Sequence, residues 1–472
     1  MSVQKLRPYQ EQALSDTRAA YVDGKRAILV VCPTGGGKTR IGVEFVKAAL
    51  GKGGNVLWMA HREELLSQAR ERLIADGIDR VGLIASGQRT INARVQVASV
   101  QTLAARVRRG LPPASVVVFD EAHHFVAAQW GAVASAYKGS AILGLTATPA
   151  RGDGKPLGDL FDHLVPVSSV KELQATIDPA TGRAVLVPSV IYRPSTKTKK
   201  LSQDPVAAYL SRTPGERAFV FCANVKHAEA VAESFRDNDV PAATIHADTP
   251  WILRRARIEA FRLQSVAPLR EIGSLEPAPL ALCNVYCLTE GVDVPEASVC
   301  IIARGCGHVG MYLQMVGRVL RSAAGKERAV LIDLRGVSHK HRLPETDRAW
   351  SLEGEPITTA EEERDAKAIA CEACGVEFTA WAVTHSGARI CPACGVPAPA
   401  QELPEISLRE LHAAGSAADE VTRQAALKSL ATQCLEKGYQ PGWAAHEYRE
   451  RFGDWPDRRA SQAAFDFARG AA

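Results

Sequence analysis

The chain has 472 residues and a mass of 50.7 kDa, which is more than one hydrophobic core usually serves, so two or three domains are expected. Hydrophobic residues make up 46% of the chain and charged residues 23%, which excludes a disordered or fibrous protein. The net charge of +5 at pH 7 permits a polyanionic partner but excludes a histone-like binder that depends on bulk charge.

The opening sequence MSVQKLRPYQ lacks the apolar core of a signal peptide. Since no run of about eighteen apolar residues occurs either, we predict a cytoplasmic protein without a membrane partner. Four of the 11 cysteines form two C-x-x-C pairs, and the other seven are scattered, several of them within apolar strand-like runs. A reducing compartment with buried thiols and one metal site fits this pattern better than a disulfide framework does.

Short apolar runs alternate with helical patterns along most of the chain. The first series comprises the strands AILVVC, NVLWMA, VVVFD and AILGL, with helices that begin at Lys38 and Arg62. The second series comprises RAFVFC, AATIH, LALCNV, SVCIIA and AVLIDL, with helices through Phe235, from Trp251 and from Met311. This alternation predicts an α/β fold of two tandem lobes, each a parallel sheet covered by helices.

The predicted organisation has six parts: a first lobe at 1–168, a linker and lobe edge at 169–200, a second lobe at 201–345, an acidic helical linker at 346–370, a cysteine-bearing module at 371–395 and a helical segment at 405–472. Within the second lobe, residues 264–279 interrupt the helix-to-strand rhythm without a clear period. We therefore predict a long surface insertion there.

A glycine-rich turn follows the first predicted strand in AILVVC-PTGGGKT, and a helix follows the turn. Backbone N–H groups in such a turn converge on phosphate oxygens, and the helix dipole adds positive potential. Lys38 would reach the β- and γ-phosphates of ATP, and the Thr39 hydroxyl would bind Mg²⁺. Cys32 replaces the first glycine of the general G-x-x-x-x-G-K-[ST] pattern, and a turn of no function is the alternative. The predicted phosphate contacts are Thr34, Gly35, Gly36, Gly37, Lys38 and Thr39.

The predicted strand VVVFD delivers Asp120 and Glu121 to its carboxyl end, the usual ligand edge of an open α/β sheet. Asp120 would hold Mg²⁺ through water, and Glu121 would act as general base for the attacking water. Most DE pairs lie on solvated surfaces, but the apolar strand directly before this pair favours the catalytic interpretation. His123 would couple the ATP state to the second lobe, although an ordinary hydrogen-bonded histidine fits the sequence equally well.

The motifs, in this order, resemble those of superfamily-two helicases of the DEAH-box type. LRPYQEQAL is similar to that family's adenine-recognition segment, which implies that Gln10 contacts the base with Arg7 beside it. GLTATP is similar to the motif that couples hydrolysis to lobe movement, through Thr146 and Thr148. The resemblance implies two RecA-like lobes with an ATP cleft between them.

Further motifs resemble the family's nucleic-acid contacts. In the first lobe these are WMAHREELLSQA and VASVQTL; in the second lobe CLTEGVDVPEA resembles the motif that senses both ATP and nucleic acid. The last motif implies nucleotide contacts by Gly291 and Asp293. The residues implied to lie near a nucleic-acid strand are His61, Arg62, Ser99, Thr102 and Thr289.

QMVGRVLR matches Q-x-x-G-R-x-x-R, the arginine-finger helix of that family, which implies that Gln314, Arg318 and Arg321 face the γ-phosphate across the cleft. The physical chemistry agrees, because charge on the transferred phosphoryl group is best stabilised by a guanidinium that arrives only when the lobes close. The spacing of three and four residues places these side chains on one helix face. A basic exposed helix face is the alternative.

The resemblance covers about Leu6 to Leu334, and the whole layout is most similar to the RadD-like helicases of bacteria and their phages. It implies a monomeric, ATP- and Mg²⁺-dependent helicase or translocase acting on single-stranded or forked DNA, with RNA still open and with repair or recombination proteins as partners. An ATP-switched nucleic-acid clamp that recruits partners without unwinding is the main alternative. A P-loop kinase would not need a second lobe bearing QMVGRVLR, and a restriction-enzyme motor would need a nuclease partner or a nuclease domain, for which the sequence shows no constellation of residues.

The two C-x-x-C pairs are separated by sixteen residues, and each is followed by glycine, in CEACG and CPACG. Paired knuckles at this spacing predict a structural Zn²⁺ ribbon, because a redox C-x-x-C motif occurs singly. The predicted zinc ligands are Cys371, Cys374, Cys391 and Cys394. The segment after them interleaves aromatic and arginine residues, including Tyr439, Trp443 and Tyr448; base stacking and a small helical core are both compatible with this pattern.

Overall fold

The computed structural model describes residues 5–86, 91–107, 110–124, 133–151, 156–194, 200–354, 369–371, 373, 376–378, 382–383, 389–391, 393–397, 423–424, 426–435, 439–452 and 456–470. Contacts divide the chain into two compact units, Met1–Ala398 and Pro399–Ala472. The first unit holds both predicted lobes.

The first lobe is built on seven parallel strands in the order β3-β4-β2-β5-β6-β1-β7. The strands are β1 (Ala27–Val31), β2 (Val56–Ala60), β3 (Val81–Ile84), β4 (Val95–Ser99), β5 (Val116–Asp120), β6 (Ala141–Thr146) and β7 (His163–Pro166). The helices of this lobe are α1 (Pro8–Val22), α2 (Lys38–Gly51), α3 (Glu63–Ala75) and α4 (Val100–Arg106).

Both faces of this sheet are buried, because successive side chains of a strand point to opposite faces. In β1, Ile28 and Val30 join the apolar cluster around Trp58 on one face. Ala27, Leu29 and Val31 join the cluster around Phe119 on the other. The continuous apolar run that predicts β1 therefore serves two cores.

The second lobe contains six parallel strands in the order β12-β13-β11-β14-β15-β10. They are β10 (Ser189–Tyr192), β11 (Ala218–Cys222), β12 (Ala242–Ile245), β13 (Ala281–Asn284), β14 (Val299–Ala303) and β15 (Ala329–Asp333). The helices are α5 (Val170–Ala175), α6 (Pro205–Arg212), α7 (Val225–Asp237), α8 (Trp251–Leu263), α9 (Ala267–Arg270), α10 (Val309–Gly317) and α11 (Val337–His341). The predicted α/β fold with two parallel-sheet lobes is confirmed.

The segment 169–200, expected as linker and lobe edge, contributes more than a connection. Its residues Ser189–Tyr192 form β10, which pairs in parallel with β15 inside the second sheet. It also holds α5 and a two-stranded hairpin, β8 (Ile177–Asp178) and β9 (Arg183–Ala184). Leu173 and Leu186 are fully buried in the second lobe's core. The burial of these side chains makes the segment part of that lobe, although its polar residues predict a linker.

The helix predicted for residues 346–370 is wrong for the parts of this range that the structure describes. Residues 346–354 contain no helix, and Ile369–Ala370 form strand β16. Arg348 donates hydrogen bonds to the carbonyls of His341 and Thr346, both at 2.7 Å. Trp350 then packs against the first lobe's core, so tertiary contacts fix residues 346–354 without a helix. Most of the acidic run EEERDAKAIA, on which the helix prediction rests, lies within residues 355–368, outside the described part of the chain.

The predicted insertion at 264–279 packs on its own lobe. Leu269 of α9 is fully buried against Ala256 and Ala260 of α8. Arg257 binds Glu276 through its Nε, 2.8 Å from Oε2. This small satellite core attaches the insertion to one helix.

The second unit is helical in its described parts. Residues 426–435, α12 (Pro441–Phe452) and α13 (Arg458–Gly470) bury an apolar cluster that includes Leu427, Ala444 and Tyr448. Burial of Tyr448 favours the small helical core over base stacking for that residue. Among the helices that the structure describes, none combines the length and apolarity needed to cross a bilayer.

Candidate active site

The glycine-rich turn lies between β1 and α2, with Gly37 as the residue before the helix. Gly35 and Gly37 have φ angles of 91° and 88°, which only glycine adopts without strain. A Cβ atom at Gly36 would lie 2.6 Å from Cys32 Sγ, so the cysteine that replaces the pattern's first glycine packs directly beneath the turn. Burial raises the pKa of the Cys32 thiol to about 12, and we expect it to be unreactive.

Lys38, the first residue of α2, contacts the Glu121 carboxylate through its ammonium group. Burial lowers the pKa of Lys38, but the neighbouring Glu121 and Asp120 carboxylates outweigh burial and raise it. Lys38 is therefore a fixed positive charge at the mouth of the turn, where the phosphates of a nucleotide would compete with Glu121 for it.

Asp120 ends β5, and Glu121 follows with a left-handed φ of 53°. Its backbone N–H donates to Asp120 Oδ1 at 3.1 Å. Burial and the adjacent Glu121 raise the pKa of Asp120 to about 6, whereas Lys38 overcomes burial and lowers the pKa of Glu121. A strained backbone that holds two buried carboxylates side by side is typical of functional sites.

The second lobe closes the opposite wall of this site. One cavity of about 710 Å³ is lined by residues of both lobes. From the sequence-predicted set, the lining residues are Arg7, Gln10, Thr34, Gly35, Gly37, Lys38, Thr39, Asp120, Glu121, Gly291, Asp293, Arg318 and Arg321. Mg²⁺–ATP requires backbone N–H groups and a lysine for its phosphates, and oxygen donors for its metal ion. The glycine turn, Lys38, Thr39 and Asp120 supply these groups. The residues present therefore fit that ligand.

Arg318 is held by backbone carbonyls of its own lobe. Its Nε and Nη2 donate to the Thr289 carbonyl at 3.0 and 2.7 Å, and its Nη1 donates to the Val292 carbonyl at 2.8 Å. Burial and the neighbouring Arg321 lower the pKa of Arg318 to about 10, which still leaves it charged at neutral pH.

Arg321 contacts the Asp293 carboxylate and packs against the glycine turn, since a Cβ at Gly35 would lie 3.1 Å from Arg321 Cγ. The expectation that Arg321 shares a helix face with Gln314 is wrong, because α10 ends at Gly317. The chain leaves the helix there, and the Val187 N–H donates to the Leu320 carbonyl at 2.8 Å. Both arginines nevertheless reach the same cavity as Lys38.

Two glycines of α10 allow the lobes to touch. A Cβ at Gly317 would lie 2.6 Å from Thr34 Cβ, and a Cβ at Gly310 would lie 3.0 Å from Thr148 Oγ1. These two glycines are seven residues apart and therefore share a helix face. At these two positions the backbone of α10 itself lies against the first lobe, which brings Arg318 close to the phosphate turn.

A chain of hydrogen bonds links the predicted coupling residues across the cleft. Gln314 Nε2 is 2.8 Å from His123 Nε2, and His123 Nδ1 is 3.0 Å from Thr146 Oγ1. The Thr146 hydroxyl donates to the Thr148 carbonyl at 2.8 Å. Because the Gln314 amide can only donate through nitrogen, the network assigns a neutral His123 that accepts at Nε2. Burial also lowers the pKa of His123.

The predicted adenine contacts are engaged with the protein. The Gln10 amide donates to the Gly36 carbonyl at 3.1 Å and accepts from the Arg7 N–H at 3.0 Å. Arg7 in turn binds Asp178 of the hairpin at 2.6 Å. Gly36, predicted as a phosphate contact, therefore presents its carbonyl to Gln10, and it is not among the cavity's lining residues.

Two family models match the chain in sequence order. Residues 4–151 match "Type III restriction enzyme, res subunit", and residues 201–323 match "Helicase conserved C-terminal domain". These are the two lobes that line the cavity. The chain belongs to the superfamily-two helicases.

Relatives of this helicase include a 51.5 kDa protein of Lactococcus phage (isolate 7-9), 27% identical over 68% of this chain and 68% of the phage protein. The mitochondrial ATP-dependent helicase irc3 of Schizosaccharomyces pombe is 31% identical over 70% of this chain and 57% of its own length. The DNA 3'-5' translocase XPB2 of Sulfurisphaera tokodaii is 23% identical over 70% of this chain and 81% of its own length. The chain thus spans little more than half of the irc3 protein.

Solved structures confirm the helicase fold with two RecA-like lobes. A fragment of an HsdR subunit of a type I restriction enzyme from Vibrio vulnificus superposes with a TM-score of 0.55 at 18% identity, over 76% of this chain and 71% of that one. Saccharomyces cerevisiae Dbp5 bound to RNA superposes with a TM-score of 0.50 at 16% identity, over 70% of this chain and 89% of that one.

Two of the helicase's predicted nucleic-acid residues, His61 and Arg62, lie where the lobes meet. His61 and Arg62 follow β2 and approach Glu290 of the second lobe, with nitrogen-to-oxygen distances of 3.3 and 3.9 Å. Ser99 caps α4 by accepting from the Thr102 N–H at 3.5 Å. Thr289 is 5% exposed and donates to the Tyr286 carbonyl at 2.8 Å; its contact with a strand stays a prediction.

Three of the four predicted zinc ligands converge. Cys371, Cys391 and Cys394 place their sulfurs within 4.8 Å of one another, while Cys374 lies outside the described residues. The sulfurs of Cys371 and Cys394 are 3.8 Å apart, the separation expected for two thiolates each about 2.3 Å from a tetrahedral zinc ion. The Cys391 N–H donates to the Val396 carbonyl at 2.8 Å, and Gly395 has a φ of 71°, as a tight knuckle requires. The cysteine geometry fits zinc.

Four residues that were assigned no role from the sequence have contacts at or near these sites. Tyr9 donates to the Gly36 carbonyl at 3.0 Å, and Asp178 anchors Arg7. Glu290 meets the first lobe's histidines. Tyr286 has a left-handed φ of 61° and carries the Arg304 guanidinium 3.7 Å above its ring. Only Tyr9 and Glu290 had a signal in the sequence, since both lie inside motifs.

Proposed function

We propose that this helicase hydrolyses ATP in the cleft between its lobes, under stimulation by nucleic acid, and uses the closing and opening of the cleft to step along a strand. One observation carries the proposal: Lys38 and Glu121 of the first lobe line the same cavity as Arg318 and Arg321 of the second. A cavity so divided is complete only when the lobes are together.

Each residue has a defined task in this proposal. The glycine turn and Lys38 hold the phosphates, and Thr39 and Asp120 hold Mg²⁺, which neutralises phosphate charge when bound. Glu121 orients the attacking water and accepts its proton. Arg318 and Arg321 face the developing negative charge on the transferred group.

Coupling to the strand uses the hydrogen-bond chain from Gln314 through His123 to Thr146 and Thr148. Its first link crosses between lobes, at 2.8 Å, so it forms only in the closed arrangement. Opening after hydrolysis breaks this link and lets the two lobes grip the strand alternately.

DNA is the proposed substrate because a relative is named as a DNA 3'-5' translocase, with single-stranded or forked DNA favoured and RNA as the other outcome of the test. The residues Asp120, Glu121, Ala122 and His123 support membership of the DEAH-box type, and the layout supports a RadD-like helicase that acts as a monomer in the cytoplasm with repair or recombination proteins.

We also propose that the four cysteines hold one structural Zn²⁺ beside the second lobe. Strand β17 (Glu377–Phe378), which follows the first knuckle, pairs with β10 of that lobe. Chelation should therefore release the cysteine module while leaving the cavity residues in place. Zinc content by mass spectrometry of the purified protein, before and after replacement of Cys391 by serine, tests this assignment.

The decisive experiment compares ATPase rates with single-stranded, duplex and forked DNA and with RNA at one fixed salt concentration, because backbone contacts make affinity steeply salt-dependent. Stimulation by one class of ligand, lost in Lys38→Ala, is expected. A rate that no nucleic acid changes would refute the motor proposal. Stimulation without strand displacement or translocation would favour the nucleic-acid clamp.

A further inference from the structure

A carboxylate of the second lobe is enclosed by imidazoles of the first. The Glu290 side chain is 1% exposed. His61, directly after β2, places its Nε2 3.3 Å from Glu290 Oε2, and the His124 Nε2 contacts Glu290 Oε1. His123 also lies nearby, 3.5 Å from Oε1, but its two ring nitrogens already serve the coupling network. This leaves His61, His124 and Glu290 as a three-residue cluster that spans the cleft.

Three buried atoms of this cluster have no hydrogen bond within the described chain: both ring nitrogens of His61 and Oε2 of Glu290. His61 Nε2 and Glu290 Oε2 are close enough for a hydrogen bond but are not aligned for one. Buried polar atoms without partners are rare and costly in native proteins. The three ligand atoms lie within 4.8 Å of one another. Two ligands bound at about 2.0–2.1 Å to a tetrahedral ion lie about 3.3–3.4 Å apart, which matches the distance from His61 Nε2 to Glu290 Oε2 of 3.3 Å. His124 Nε2 is hydrogen-bonded directly to Glu290 Oε1, and a bound ion would replace this hydrogen bond.

We propose that His61, His124 and Glu290 form an inter-lobe binding site for a divalent transition-metal ion of the zinc class. Two imidazoles and a carboxylate are the donor set that Zn²⁺ favours, whereas Mg²⁺ prefers oxygen donors throughout. The His124 side chain is 35% exposed, which gives the ion an entry path and leaves a fourth position for water.

The surrounding charges are balanced enough to accept the ion. Arg62 lies 3.9 Å from Glu290 Oε2 and opposes a cation, although 32% of its side chain is exposed. The Glu121 carboxylate attracts a cation: like Glu290, it lies 3.5 Å from a ring nitrogen of His123. The site is separate from the cysteine module, because the two share no ligand.

A metal bound by both lobes stabilises their closed arrangement, since a ligand shifts a conformational equilibrium toward the state that binds it better. Turnover requires the cleft to reopen. The metal is therefore an inhibitor that acts between the lobes, outside the nucleotide cavity.

The first test counts bound metal on the full chain without nucleotide or nucleic acid, so its outcome is independent of the proposed function. Equilibrium dialysis against Zn²⁺ should give one ion fewer in His124→Asn, and in His61→Asn, than in the unmodified protein. Circular dichroism of each variant checks that it has folded. Equal zinc content in the unmodified protein and both folded variants overturns the proposal.

The second test measures ATPase rate at rising Zn²⁺, with each variant compared with its own metal-free rate. We expect about tenfold inhibition of the unmodified protein, within the usual range of coupling between two sites, and little in His124→Asn. The double variant Cys371→Ser with Cys391→Ser is the matched control and should remain inhibited. Inhibition that persists in His124→Asn, or disappears in the cysteine variant, contradicts inter-lobe binding.

Discussion

Replacement of Gly317 by alanine tests whether the close contact between lobes belongs to the working enzyme. The added Cβ would lie 2.6 Å from Thr34 Cβ and 3.0 Å from both Thr34 Oγ1 and Cγ2. Since carbon atoms pack best at about 3.5–4.0 Å, the lobes would have to separate by roughly 1 Å at this point. Arg318, the next residue, would move with them.

A displacement of about 1 Å in a catalytic group costs roughly a hundredfold in rate, so kcat should fall by about that factor. Thermal stability should be kept, because separation of the lobes relieves this overlap, unlike an overlap inside a core, and alanine in a helix is up to about 1 kcal/mol better than glycine. We therefore expect Gly317→Ala to unfold at the same or a higher temperature while it loses turnover. Steady-state ATPase assays and differential scanning calorimetry measure the two quantities.

Two further glycines complete a graded series. Gly310→Ala creates a smaller overlap, 3.0 Å from Thr148 Oγ1, and should lose less activity. Gly51 ends α2 with no described atom within 4 Å of its ideal Cβ, so Gly51→Ala should keep the original kcat. Full turnover in Gly317→Ala would refute the reasoning, since the arginines would then act without this contact.

Three other substitutions have defined outcomes. Glu121→Gln should lower kcat by at least about a hundredfold, as loss of a general base does. ATP should bind as well or better, because Lys38 loses its competing carboxylate. Weaker binding of a fluorescent ATP analogue would contradict this expectation. Gly144→Ala places a Cβ 2.5 Å from the Phe161 ring and should cost about 1–3 kcal/mol by overpacking; the lowered melting temperature should recover in part with Phe161→Leu. Leu269→Ala should cost about 2–5 kcal/mol of local stability, so hydrogen exchange in the insertion should become faster while the ATPase rate stays the same. A fall in the ATPase rate alongside the faster exchange would refute a purely structural role.

The phosphate turn illustrates what could be predicted from neighbouring residues alone. The order of strand, glycine run, lysine and helix implies its backbone geometry, and φ angles of about 90° at Gly35 and Gly37 are as expected. Even the departure at Cys32 is local, because the thiol packs under Gly36. Asp120 and Glu121 at the end of β5 were predictable for the same reason.

Other features depended on contacts between distant segments. The strand Ser189–Tyr192 is too short to distinguish from a linker by pattern, and only its pairing with β15 makes it part of a sheet. Part of the range predicted as a helical linker, residues 346–354, is not helical, and there Arg348 donates hydrogen bonds to the carbonyls of His341 and Thr346. The helix position expected for Arg321 fails because the chain turns after Gly317 to pair with the segment near Leu186.

The sequence by itself determined the two parallel-sheet lobes and the chemical groups of the nucleotide site, because strand, turn and helix propensities act within a few residues of one another. Only the tertiary structure decided which groups meet across the cleft: Gly317 against Thr34, Gln314 with His123, and Glu290 among the histidines. Such contacts join residues more than a hundred positions apart, and the free energy that favours them comes from burial in three dimensions, which no local pattern encodes.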